Sequence, residues 1–227
     1  MNLQTIQLTG QTDTHLQRDN AGTGLQPACW QAFYQLQAAA AEAGYDLQVA
    51  SGFRSFDRQL KIWNDKASGV RPVSDDDGAV LAREVFSELE WMHAILRFSA
   101  LPGGSRHHWG TDLDVFDAAA VPPDYRLQLS PAEVADDGPF GPMHRWIDQR
   151  LQKSDCFGFS RPYAVDHGGV ACERWHLSYL PLAQGCEAQL TESLLREVLD
   201  AAELQLGALV AQNLPEIYRR YLQTGGR

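Results

Sequence analysis

Two short segments hold most of the side chains able to do chemistry. The stretch Ser105-Arg106-His107-His108-Trp109-Gly110-Thr111-Asp112-Leu113-Asp114 sets two adjacent histidines and two carboxylates around a glycine, and Glu173-Arg174-Trp175-His176 follows much later in the chain. Imidazole nitrogen and carboxylate oxygen are the donors of catalytic zinc, which takes three protein ligands and keeps a fourth position for water. The helical metalloprotease pattern HExxH is absent, so such a site would be assembled from separate segments, with a nearby carboxylate serving as general base. One histidine taken alone is more often structural or on the surface. The pairing of the two clusters changes that, because His107, Asp114, Glu173 and His176 together would supply both ligands and a base if they converge.

The elements that must bring them together follow from pattern. Thr111–Phe116 alternates as a strand, Leu113 and Val115 facing one way and Asp112 and Asp114 the other. Gly110 permits the tight turn before it. Asp46–Ser51, Phe157–Tyr163 and Ala171–Tyr179 read as extended. Helical spacing appears over Pro27–Gly44, Asp57–Asn64, Ala79–Phe98 and Pro142–Lys153, and over Thr191–Leu222 with a break near Asn213–Pro215. Lys66–Gly78 reads as a loop and Pro122–Pro142 as a proline-punctuated insertion. Strands mixed with helices, without regular alternation, indicate α+β. The expected organisation is an irregular arm over residues 1–26, a core over 27–185 and a helical tail over 186–227 packed on the same domain.

Composition narrows the function. Hydrophobic residues are 44% and charged residues 21%, which excludes a largely disordered chain. With 19 basic and 29 acidic residues the net charge is −10, which disfavours nucleic acid, anionic lipid and polyanionic wall polymers as partners. No apolar run of membrane-spanning length occurs. The first residues lack a basic start followed by an apolar stretch, so the expected location is the cytoplasm, or the periplasm if the chain is a processed form. Cys29, Cys156, Cys172 and Cys186 are scattered and expected to be idle thiols. A monomer is expected. The pair Glu90 and His93 falls inside an amphipathic helix and is expected to make core and solvent contacts, and His144 and His167 are expected to have no functional role.

At these residues the chain resembles a known family. The first segment matches SxHxxGxxxD and the second ExWH, the motifs of the zinc D-Ala-D-Ala carboxypeptidases related to VanY and VanX (the M15 peptidases). Ser51-Gly52-Phe53-Arg54-Ser55 followed by Gln59 is similar to that family's SGYRS…Q segment. The resemblance implies a small antiparallel sheet flanked by helices, of the Hedgehog-like peptidase type, with one zinc on the sheet. It implies His107, Asp114 and His176 as ligands, Glu173 as base, and Arg54 on the substrate with Ser105 and Gln59 nearby. The implied activity is hydrolysis of the C-terminal D-Ala bond, D,D or L,D, of peptidoglycan stem peptides. A phage-lysin type endopeptidase and a zinc-bearing module without turnover are the alternatives. Departures are Asp112, where the family often has alanine, and Arg174, where many relatives have proline. Asp112 is expected to support the ligands or meet solvent rather than replace Asp114, and His108 to turn away from the site into the wall or the surface.

Overall fold

The computed structural model describes residues 2–223. The N-terminal segment holds a short helix α1 (Thr5–Leu8) and a two-stranded antiparallel ribbon, β1 (Gln17–Arg18) with β2 (Gly24–Leu25). Helix α2 (Pro27–Glu42) begins with Pro27 in its first turn, where the missing N–H is harmless. Strand β3 (Leu47–Ser51) then leads to α3 (Phe56–Ala67), capped by Ser55, whose Oγ accepts from the Arg58 amide. Helix α4 (Glu88–Leu96) precedes the central strand β4 (Asp112–Asp117). After α5 (Pro131–Val134) and α6 (Gly141–Gln152) come β5 (Phe159–Ser160) and β6 (His176–Tyr179). The chain continues through α7 (Leu180–Gln189), α8 (Glu192–Asp200) and α9 (Gly207–Ile217), which runs on into a π-helical turn over Tyr218–Leu222.

The main sheet is antiparallel in the order β3-β4-β6-β5. Its two faces divide as alternation requires. Leu113, Val115 and Leu177 enter an apolar cluster with Trp30, Phe33 and Leu36 of α2 and Met143 and Ile147 of α6. Each fully buried aliphatic side chain there contributes about 1.5–3 kcal/mol. The opposite face carries Asp112, Asp114 and His176. A second apolar cluster joins α3 and α4 to α7–α9 through Trp63, Trp91, Ile95, Leu195, Leu214 and Ile217. The α+β class and the small antiparallel sheet flanked by helices are as the sequence implies.

Three local expectations change. The helix expected over Ala79–Phe98 starts only at Glu88, because Ser87 and Glu90 form a reciprocal capping box that marks a new N-terminus. Val80 and Val85, which the periodicity places on a buried stripe, are exposed. In the tail, the helix breaks between Asp200 and Gly207, and Pro215 sits inside α9. The carbonyl four residues before it, Ala211 O, would lose its amide donor, and Arg196 Nη1 donates to it instead at 3.2 Å. Finally, residues 8–26 are structural: Leu8 and Leu25 are fully buried, and Gln26 donates both its backbone amide to Gly110 O and its side-chain Nε2 to Trp109 O, each at 2.8 Å.

Candidate active site

Register places the donor set. In the β4–β6 pair Asp114 lies directly opposite His176, and Asp112 opposite Ser178, so all four side chains rise from the same face. His107 arrives from a single helical turn over Arg106–Trp109, which ends at Gly110 in the left-handed region, φ 66°. A Cβ on Gly110 would come within 2.2 Å of Leu16 Cδ2, so the turn needs glycine both for its backbone and for its closeness to the N-terminal segment. The ligand-capable atoms of His107, Asp114 and His176 lie within 4.8 Å of one another, and all three residues are buried.

The hydrogen bonds select which atoms are available. His107 Nδ1–H donates to the Gly52 carbonyl at 2.9 Å, leaving the Nε2 lone pair 3.4 Å from Asp114 Oδ2. His176 Nε2–H donates to Asp112 Oδ1 at 3.0 Å, leaving Nδ1 3.2 Å from Asp114 Oδ1. Despite that proximity, Asp114 Oδ1 is buried without a directed hydrogen bond. Two imidazole lone pairs and an unsatisfied carboxylate oxygen aimed at one another make poor hydrogen-bond partners and a good cation site. The donor chemistry thus fits zinc. Burial would push the Asp114 carboxyl up, yet the two imidazoles hold it well below the usual carboxylate range. Burial would likewise lower His176, and Asp112 and Asp114 together lift it to about 10. A divalent cation supplies that positive charge without a proton.

Behind His176 stands a buried ionic network. Asp112 accepts from Arg106 Nε at 2.7 Å and from Thr111 Oγ1 at 2.6 Å. Arg106 Nη1 reaches Glu187 of α7 at 2.8 Å and Nη2 donates to Ser178 Oγ at 2.8 Å. Its guanidinium lies over the Trp109 ring. Asp112 therefore fixes the tautomer and orientation of His176 from behind, in the manner of a carboxylate–histidine–metal triad. Arg106 and Glu187 were not singled out by sequence; their pairing spans 81 residues and leaves no local signature.

Glu173 sits just before β6, with Oε2 3.6 Å from His176 Nδ1. Burial pushes its pKa up to about 7, with Asp114 adding to the rise and His176 and Arg54 opposing it. Arg54 lines the same cleft, a cavity of about 670 Å³ that also includes Ser105, His107, Asp114, Tyr163 and His176. Its backbone amide donates to His107 O at 3.2 Å. Gln59, expected near the substrate, is instead fully buried, its Oε1 accepting from Arg54 Nη1 at 3.0 Å and its Nε2 donating to Ala100 O at 2.7 Å. It holds Arg54 in place. The Tyr163 ring stands edge-on to His176, centroids 5.1 Å apart.

Residues 22–182 match the VanY family, described as D-alanyl-D-alanine carboxypeptidase, which is well over half of the chain. The chain belongs to the VanY family of D-alanyl-D-alanine carboxypeptidases. It is thereby a metallopeptidase of carboxypeptidase type. An uncharacterized protein of Haemophilus influenzae is 30% identical over 124 residues, 54% of this chain and 92% of the relative. Two solved structures share the fold at 21% identity. VanYB in complex with D-alanine-D-alanine superposes with a TM-score of 0.53, covering 85% of this chain and 92% of that one. A zinc-complexed variant of the vancomycin-resistance D,D-pentapeptidase VanY gives 0.52, covering 75% and 80%.

Within this VanY-family chain, His108 is a buried strut. Its Nδ1–H donates to Arg54 O at 2.6 Å, and its Nε2 accepts from the Gly103 amide at 3.0 Å. It ties the Arg54 loop to the loop before the His107 turn, which explains burial where a wall or surface place is expected. Arg174 also points away from the donor set, pairing with Asp148 at 2.6 Å and Asp136 at 3.0 Å. Burial pushes both His108 and His144 down to about 3. An unfolded histidine titrates near 6.5, so between these values the unfolded chain binds more protons. Native stability should fall as pH drops below about 6.5, by roughly 1.4 kcal/mol per unit for each such histidine. Urea unfolding of the zinc-loaded protein between pH 7.5 and 5 tests this, with His144→Gln expected to flatten the slope by one proton. An identical slope in the variant would remove His144 from the account.

Proposed function

We propose that this protein is a zinc-dependent carboxypeptidase that removes D-alanine from the C-terminus of peptidoglycan stem peptides. One observation carries the reading: His107 Nε2, Asp114 and His176 Nδ1 converge, with Glu173 beside them and a half-buried arginine in the same cleft. The ligand held by VanYB, D-alanine-D-alanine, supports the same substrate chemistry. The chemistry a zinc supplies at these donors is Lewis acidity toward a carbonyl and toward water.

The chain's own residues do the rest. Glu173, held between protonation states near neutrality, accepts a proton from the attacking water and returns it to the departing amine. Arg54 has no carboxylate within ion-pair distance among the described residues, so its guanidinium is available to grip the terminal carboxylate in a two-point fork. Asp112 keeps the His176 ring from turning. The net charge of −10 supports soluble stem peptides, rather than the intact polyanionic wall, as the material acted on, and we place that action in the cytoplasm; cell fractionation that finds the protein only in the periplasm would contradict the location.

The bond is found by incubating the zinc-loaded protein with tripeptide, tetrapeptide, pentapeptide and cross-linked stems and weighing the products. Loss of a single D-alanine is expected, from the tetrapeptide for an L,D-enzyme and from the pentapeptide for a D,D-enzyme. Opening of the cross-link would mean an endopeptidase, and intact peptides would mean a module without turnover. Arg54→Ala should raise KM roughly a hundredfold for peptides with a free C-terminus and little for their amides. Equal losses on both would make Arg54 a support for the His107 turn.

A further inference from the structure

The cleft carries more positive charge than one terminal carboxylate requires. Lys66, at the end of α3, and Arg71, just beyond it, line the same cleft as Arg54. Lys66 Nζ donates to Ser99 Oγ at 2.7 Å and, like Arg54, has no carboxylate within ion-pair distance among the described residues. Gln59, which holds Arg54, is bonded to Ala100 O. The two cations are therefore fastened to adjacent residues of one loop, Lys66 directly to Ser99 and Arg54 through Gln59 to Ala100. Both face one cleft, so a ligand held by its terminal carboxylate on Arg54 can present a second anionic group to Lys66.

The ammonium is half-buried, and its pKa is lowered to about 8, by burial first and then by Arg71 and Arg54. A partly desolvated cation without an ion-pair partner is unfavourable. The acidic residues of the cleft relieve it little: Asp75 Oδ1 accepts from the amides of Asp77 and Ala79, and Glu173, whose charge favours the ammonium, acts more weakly than burial and the two arginines.

We propose that Lys66, assisted by Arg71, forms a second carboxylate subsite, selecting stem peptides that carry a free side-chain carboxylate near the C-terminus. This rests on the carboxypeptidase function proposed above. A diamino acid with a carboxylate on its side chain has that chemistry, and its carboxamide does not.

The test uses two stem peptides of the length the wild type cleaves, identical except that the diamino acid is meso-diaminopimelate in one and its side-chain carboxamide in the other. The zinc-loaded wild type should show a KM about tenfold lower for the carboxylate peptide, the effect of one charge-assisted contact. Lys66→Met should erase that preference by raising KM for the carboxylate peptide and not for the amide, and Lys66→Arg should restore it. Arg71→Gln, at an exposed position, should give a smaller shift of the same sign and serves if Lys66→Met does not fold. Equal changes on both peptides, or no wild-type preference, would overturn the subsite while leaving the carboxypeptidase intact. Failure of the wild type to cleave either peptide would instead remove the proposed function and the subsite with it.

Discussion

Glu173→Gln should yield a folded protein that still binds zinc and hydrolyses its peptide roughly 10²–10⁴-fold more slowly. The amide keeps the size and shape of the carboxylate but cannot take a proton from water. Glu173 is not one of the three residues whose donor atoms converge, so the grip on the ion should survive. The loss should fall on kcat, with KM nearly unchanged, because Arg54 and the cleft wall remain. Equilibrium dialysis against zinc, run beside steady-state kinetics, separates the two effects. A variant that hydrolyses readily would take the proton-transfer role away from Glu173. One that loses zinc as well would make it a ligand.

Asp112→Asn should act on the other side of the same imidazole. The amide can still meet His176 Nε2–H through its oxygen, but it no longer carries the charge that holds the ring and balances Arg106. Loss of such an outer partner lowers metal affinity about 10–100-fold. Removing one member of a buried ion pair also destabilises the fold by about 3–5 kcal/mol. Both should appear together, the first in competition with a chromophoric chelator and the second in urea unfolding. Ser178→Ala is the control: it removes a single hydrogen bond to Arg106 Nη2, about 1 kcal/mol, and should leave zinc affinity alone. If Asp112→Asn lowers stability without touching affinity, the network only braces the strands.

The parts of the site that sequence made legible are those written in short range. Gly110 needs its left-handed turn, Leu113 and Val115 alternate with Asp112 and Asp114, and ExWH sets Glu173 three residues before His176. Each is local, so spacing alone exposes it. The antiparallel rung that places Asp114 against His176 is not local, and only the family resemblance anticipated it. Arg106, Glu187 and Lys66 were missed for the same reason: a charge looks solvated until its distant partners, or their absence, are known. The long helix expected over Ala79–Phe98 came from counting apolar spacing across the Ser87 cap, although the Ser-x-x-Glu signature there was readable. Pro215 was taken as a break because no local pattern announces that Arg196 will satisfy the carbonyl it strands. The arm assigned to residues 1–26 followed polarity, which says nothing about Gln26 bracing the Gly110 turn.

The division of the main sheet into an oily and a chemical face separates inheritance of reactivity from inheritance of taste. The grip on the ion is written into rungs that tolerate no insertion, since a shift of one residue in β4 would turn Asp114 toward Leu177's side of the sheet. Much of the cleft's lining comes from connections, residues 71–78 and 128–130 among them, which can lengthen or change composition without disturbing a single rung. Such a scaffold lets a lineage explore new peptides by editing its loops while its hydrolytic machinery stays untouched.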